Sequence, residues 1–276
     1  MKTILVPTDF SENSKAGLKF ALNWSQKEDL KLVFIYVVNI TRNHESTEQE
    51  FQHHFSNEMK IAKEKLDDFL VNTFEDFGLK PSHYSTEIVE GFSADIAILG
   101  YCEAHPKINY ICISTRGAGG LKKMLGTNTG NLITNSEVPV IAVPQDYNGA
   151  ELKKVLYASD LKDYDLEIKK VIDFAKPLKA EIEILHFSWP YEELTKNNNF
   201  ERDYDYGFKL SFPSHNVTQK LIDNLHDEIK EKNPSVFIMF TNQDKNFWER
   251  IFSPSKTEQL SFEIEVPMLV FRKEVK

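Results

Sequence analysis

The chain has 276 residues, 41% of them hydrophobic and 27% charged, with a formal net charge of -9. At about 150 residues per domain this length predicts roughly two domains, and the composition excludes disorder throughout. The acidic balance disfavours a general nucleic-acid binder, because neutralising phosphates supplies most of such a protein's affinity.

In chain order, residues 3–6 form a β-like apolar run. Residues 11–26 have helical spacing, with Leu18, Ala21, Leu22 and Trp24 on the apolar face. Residues 30–38 are a continuous run rich in Val, Ile, Phe and Tyr, the pattern of a strand buried on both faces. A long helix is predicted over 50–74, a strand over 84–89 and a helix over 93–105 with Ser93 as its N-cap. A strand over 109–114, a glycine-rich loop, a helix near 128–135 and a strand over 138–143 complete this half. Strands alternating with helices predict a parallel sheet covered on both faces.

The second half begins the same way. Ile4-Leu5-Val6-Pro7-Thr8-Asp9-Phe10 is echoed by Val155-Leu156-Tyr157-Ala158-Ser159-Asp160-Leu161. The buried-strand run at 31–37 is echoed at 181–187. The endings match as well: Val138-Pro139-Val140-Ile141-Ala142-Val143 parallels Val266-Pro267-Met268-Leu269-Val270-Phe271. Two copies of one α/β module are expected, over 1–146 and 152–276, with turn formers Asp146, Asn148 and Gly149 between them. The second copy lacks a counterpart of the long helix. In its place residues 189–205 carry five acids against two bases, a solvated insertion or a docking loop.

In an open parallel sheet, ligands bind beyond the carboxyl ends of the strands, where strand order reverses. Three segments of the first copy converge there: Pro7-Thr8-Asp9, Val37-Val38-Asn39, and residues 114–130. The last holds five of the chain's eleven glycines. Glycines admit a close backbone approach, and the Thr127-Asn128-Thr129 helix start offers free N–H groups to phosphate. Arg116, Lys122 and Lys123 add positive charge. The loop matches neither the Walker A pattern nor the dinucleotide-binding glycine fingerprint. Asp9 is also a candidate N-cap for the helix that follows.

Other residues carry less. His53 and His54 are adjacent on a helix, so they face apart and do not suit a shared metal. His186 reads as a packed histidine at a strand end. Two lone cysteines, Cys102 and Cys112, fit a reducing cytoplasm and core positions. No run approaches the ~18 apolar residues of a membrane helix, and residues 1–7 are too short for a signal peptide. A cytoplasmic protein with neither a membrane nor a nucleic-acid partner is expected. No catalytic set stands out.

The opening Ile4-Leu5-Val6-Pro7-Thr8-Asp9-Phe10-Ser11, the glycine loop and the closing Val138-Pro139-Val140-Ile141-Ala142-Val143 together resemble the universal stress protein family in its tandem form. The family's nucleotide loop reads G-x2-G-x9-G-(S/T). Here Ser114 stands at the first glycine, Gly117 at the second and Gly126-Thr127 at the third, with eight residues rather than nine between the last two. The resemblance implies two Rossmann-like parallel-sheet modules paired as an intramolecular pseudo-dimer through their last strands, with a further homodimer possible. It implies ATP, accompanied by Mg²⁺, as ligand. Asp9 would then accept from the adenine amino group and backbone at Val37 would read the ring edge. Pro7 and Thr8 would shape that wall. Ser114 and Gly117 would line the ribose and first phosphates, with Arg116 nearby. Gly126, Thr127 and Asn128 would hold the outer phosphates. The second copy keeps Asp160 but not the glycines, which implies a structural role. A nucleotide-independent interaction protein and a slow ATPase are the alternatives.

Overall fold

The computed structural model describes residues 1–115, 117–118, 122–123, 127–161, 163–187, 204–213, 218, 221–241 and 265–273, with backbone alone at 117, 118, 122, 123, 221 and 222. The first half runs β1 (Lys2–Pro7), a 3-10 turn (Glu12–Ser14), α1 (Lys15–Ser25), β2 (Leu30–Val38), α2 (Glu48–Phe77), β3 (His83–Glu90), α3 (Ala94–Ala104) and β4 (Ile108–Ser114). Two short strands, β5 (Gly117–Ala118) and β6 (Lys122–Lys123), then pair with each other before α4 (Thr127–Asn135) and β7 (Val140–Val143). The second half runs β8 (Lys154–Ala158), α5 (Tyr164–Leu178), β9 (Glu181–Leu185), β10 (Phe208–Ser211), α6 (Leu221–Lys232), β11 (Val236–Thr241) and β12 (Met268–Arg272).

Ten strands form one sheet in the order β10-β9-β8-β11-β12-β7-β4-β1-β2-β3. Each half has the same internal order, its first strand lying between its second and fourth. In this sheet the pairing within each half is parallel throughout, while the separate β5–β6 pair is antiparallel. The halves join where β7 and β12 run antiparallel, with Val140 opposite Val270, Ile141 opposite Leu269 and Ala142 opposite Met268. A last strand left as an edge would present unpaired backbone groups, and this join covers both. The fold is therefore two tandem Rossmann-like modules closed on each other within one chain.

Both faces of the sheet are covered, which is why the central strands read as unbroken apolar runs. On one face α1, α2 and α5 bury Leu18, Trp24, Leu66, Leu70 and Phe174 against Ile4, Phe34 and Ile184. On the other, α3, α4 and α6 bury Ile98, Leu132 and Ile229 against Leu5, Ile111 and Phe237. Each core is continuous across the two halves. Trp24 of α1 meets Phe174 of α5 edge-on at 5.0 Å between centroids.

Several boundaries differ from expectation. The segment after β1 begins as a 3-10 turn, capped by Ser11, whose hydroxyl accepts from Ser14 N at 3.2 Å. The long helix starts two residues earlier, at a reciprocal capping box between Thr47 and Glu50. Ser93 occupies the N-cap of α3, but its hydroxyl makes no capping bond and goes instead to the Asp95 carboxylate. β10 lies just beyond the acidic 189–205 stretch, most of which falls outside the described residues. No helix among the described residues is long and apolar enough to cross a membrane.

Candidate functional site

The carboxyl ends of β1, β2 and β4 meet where α1 and α4 leave on opposite faces of the sheet, the switch point of a doubly wound fold. Thr8 follows β1 and is buried; its N–H donates to Ile35 O of β2 at 3.0 Å. Its hydroxyl accepts from Phe10 N at 3.1 Å and lies 2.9 Å from the Ser14 hydroxyl. Ser14 donates in turn to Ser11 O at 2.7 Å, so Thr8 is the donor between the two hydroxyls. Phe10 takes a left-handed backbone, φ 65. That conformation costs a non-glycine residue about 1–2 kcal/mol. Packing holds it there: Tyr36 at 4.3 Å, Phe69 at 5.4 Å and the Lys65 ammonium 4.6 Å above the ring.

This knot turns the chain so that Asp9 stands exposed. Its Oδ1 accepts from Ser11 N at 3.1 Å and from the Ser11 hydroxyl at 2.5 Å. Asp9 therefore forms an Asx turn and is not the N-cap; Ser11 is. No cation among the described residues pairs with it.

Ser114 ends β4, and its hydroxyl is already engaged. It accepts from Gly17 N at 2.7 Å and donates to Ser14 O at 3.0 Å. Ser14, the local N-cap of α1, makes no side-chain capping bond. Ser114 thus caps α1 from another strand, satisfying one of the donors a helix start leaves open. The approach needs glycine at 17, because a Cβ there would lie 3.1 Å from both Ser114 N and Oγ. The Ser114 carbonyl accepts from the Thr129 hydroxyl at 3.2 Å, which ties the first turns of α4 to the end of β4. Thr127 and Asn128, at the tip of α4, are exposed.

Beyond β2, Val37 is half-buried and pairs with Val89 of β3. Gly91 follows β3 and packs closely; a Cβ there would lie 2.7 Å from Ala97 Cβ and 3.5 Å from Val37 Cγ1. Asp95, in the first turn of α3, is 7% exposed and accepts from Asn131 of α4 at 2.7 Å. Burial pushes its carboxyl up, but hydrogen bonds from Ser93, Asn131 and the backbone outweigh this and hold it below the usual range.

The structure thus gathers Pro7, Thr8, Asp9, Val37, Ser114, Thr127 and Asn128 along one edge. Gly117 lies in β5, paired with Lys123. Arg116 and Gly126 fall outside the described residues. Ser11, Ser14, Gly17, Asp95 and Asn131 were not singled out in the sequence. The N-cap candidate Ser93 was the sequence reading that lay next to that corner.

The second half repeats the knot after β1. Ser159 N donates to Leu185 O at 2.9 Å, the Ser159 hydroxyl accepts from Leu161 N at 3.0 Å, and Leu161 has φ 60. Here, however, Lys273 reaches from the end of β12 to Asp160 at 2.7 Å and to Glu167 at 3.4 Å. Burial raises the Glu167 carboxyl above its ordinary range, although Tyr157 and Lys273 pull it down. Phe240 aligns with Ser114, packs against Tyr157 and stacks on Phe271 at 4.9 Å. His186 is buried, its Nδ1 2.9 Å from Ser159 O, as a packed histidine would be. The stretch read as equivalent to the glycine loop, 241–257, lies outside the described residues beyond Thr241.

Cys102 and Cys112 are buried and unpaired. Burial, with Glu103 nearby, pushes the Cys102 thiol up to about 12. No group of three His, Cys, Asp or Glu side chains among the described residues is placed to hold a metal.

Known proteins share this fold. A model described as the universal stress protein family matches residues 1–144, more than half of the chain. A universal stress protein of Methanocaldococcus jannaschii is 28% identical over 143 residues, 51% of this chain and 81% of that protein. Two solved structures share the fold across nearly the full length. One is a universal stress protein from Archaeoglobus fulgidus DSM 4304, with TM-score 0.68 and 21% identity over 98% of this chain and 96% of that one. The other is a functionally unknown protein from Pseudomonas aeruginosa PAO1, with TM-score 0.61 and 14% identity over 99% and 92%. With that model spanning residues 1–144, from before β1 to beyond β7, the chain belongs to the universal stress protein family.

Proposed function

We propose that the first half binds ATP, or another adenine nucleotide, and that the protein acts in nucleotide-linked stress response or signalling. One observation carries the reading. The exposed tip of α4, Thr127 and Asn128, opens beside the end of β4, across the switch point from an exposed Asp9 free of any cation among the described residues. A helix start there favours phosphate, and a carboxylate at the end of β1 can accept from an adenine amino group. Thr127 and Asn128, with Gly126, hold the outer phosphates. Gly117 and the backbone of Ser114 line the inner ones, and Arg116 adds charge. The Ser114 hydroxyl is spent on α1. Pro7 and Thr8 form one wall and the Val37 backbone reads the ring edge. Mg²⁺ is carried by the phosphates and water rather than by a protein cage.

The second half, in this reading, is a structural partner. Its Asp160 carboxylate is taken by Lys273, and Phe240 fills the place of Ser114. The two units are 1–146 and 152–276, in a cytoplasmic setting that suits two buried free thiols. Calorimetric titration with Mg-ATP, after checking for nucleotide carried through purification, tests the proposal. One site per chain is expected. Two sites would overturn the silent second half, and no binding by nucleotide-free protein would overturn the reading itself. A nucleotide-independent interaction role has one observation in its favour: Phe92 and Ile96, at 91% and 70% exposure, crown the start of α3.

A further inference from the structure

We propose that Asp95 is a positioning residue for the phosphate end of the ligand, acting through Asn131. The inference rests on the nucleotide reading above and deepens it. Two polar ties hold the start of α4 among the described residues. One is Thr129 on the Ser114 carbonyl at 3.2 Å. The other is Asn131, whose amide donates to Asp95 Oδ2 at 2.7 Å across the gap between α3 and α4. The two ties hold successive turns of α4 from different elements, β4 and α3. Together they fix how the first-turn N–H groups of α4, next to exposed Thr127 and Asn128, face the carboxyl edge.

Asp95 is itself held rigidly. It is 7% exposed, its other oxygen takes the Ser93 hydroxyl, and it sits at the start of α3, where N–H groups and the dipole favour a carboxylate. The Ser93 hydroxyl makes no cap and is spent entirely on this carboxylate. The close seat of α3 that brings Asp95 to α4 depends on Gly91, whose missing Cβ admits Ala97. The chain from Gly91 through Asp95 to Asn131 thus sets the angle of a helix whose tip is meant for anions. Asp95 is anionic, and it touches α4 in the second turn rather than at the tip. Its role is geometric, not a direct contact with the ligand.

The test compares ATP with adenosine, which lacks the phosphates, on Asp95→Ala, Asp95→Asn and Asn131→Ala. Loss of the clasp costs a contact to charged phosphate, so Asp95→Ala is expected to weaken ATP binding about tenfold while leaving adenosine unchanged. Asn131→Ala should do the same, and the double variant should be no worse than either single one. Asp95→Asn keeps an acceptor for Asn131, and the Ser93 hydroxyl can turn to accept; it should restore wild-type ATP binding or tighten it. Equal weakening toward ATP and adenosine would assign Asp95 a merely structural role and overturn the proposal, as would unchanged ATP affinity in Asp95→Ala. If the wild type binds adenosine but gains nothing from phosphates, the α4 phosphate site falls and the clasp with it. If it binds neither ligand, the nucleotide reading itself falls.

Discussion

Asp9 and Ser114 show how one side chain can be read for a ligand and serve the fold. Asp9 keeps Ser11 in an Asx turn yet stays exposed, so replacing it removes an acceptor without opening the core. Asp9→Ala is expected to weaken adenine-nucleotide binding about tenfold, the worth of one hydrogen bond between ligand and charged group. Calorimetry checks it, and circular dichroism should show an unchanged fold. Ser114 behaves in the opposite way. Its hydroxyl caps α1, so Ser114→Ala is expected to cost about 1 kcal/mol of stability, the usual size of a lost N-cap. Urea unfolding reads that loss; an unchanged midpoint would mean that water replaces the hydroxyl at Gly17 N. The carboxylate of Asp9 could be nominated from the sequence because it follows a β-run. The tie between Ser114 and Gly17 could not, since 97 residues separate them.

At the scale of elements, α2 is divided. Its second half buries Ala62, Leu66, Leu70 and Phe74 against the sheet, whereas none of residues 48–61 is buried. The helix persists outward because its capping box closes the first turn and the Gln52 amide donates to Glu48 at 2.9 Å, a pair four residues apart. Such a pair contributes only a few tenths of a kcal/mol. Hydrogen exchange should therefore be faster over 48–61 than over 62–77. Leu66→Ala should cost about 2–5 kcal/mol, as for other fully buried leucines, whereas Phe55→Ala should leave the melting temperature nearly unchanged. Helix periodicity foretold this element. The start at Glu48 was set by a reciprocal bond between Thr47 and Glu50 that an apolar pattern does not contain.

For the whole molecule, one sheet and two continuous cores join the halves. Leu269 of β12 is fully buried opposite Ile141 of β7, and Trp24 and Phe174 meet across the same join. Calorimetric unfolding is expected as one cooperative transition, with Leu269→Ala lowering it as a unit; two resolved transitions would show that the halves unfold separately. Acid response belongs to this scale too. Glu183, buried in β9, pairs with Lys232 at 2.8 Å and Lys154 at 3.2 Å. Burial raises its carboxyl, but the two lysines outweigh that and hold it below its ordinary value of 4.5. The unfolded chain therefore binds this proton more readily. The contribution of Glu183 is fully present above about pH 4.5 and is lost as pH falls through the lower folded value. Melting temperatures between pH 7 and 3 should fall less steeply in Glu183→Gln than in the wild type.

By itself the sequence determined the class of fold and the repetition of one module in two halves. Alternating buried-strand and amphipathic runs are local patterns, and the matched openings and endings repeat within one chain. What only the tertiary structure decided are the contacts between residues far apart in sequence. These are the Ser114 cap on α1, the Asp95–Asn131 clasp and the Lys273 ammonium over Asp160. The first two satisfy polar groups that packing has withdrawn from water, and the third sets a half-buried ammonium on an exposed carboxylate. Which partner each group meets depends on how helices seat on the sheet, and that is set by the shared core rather than by any local run of residues.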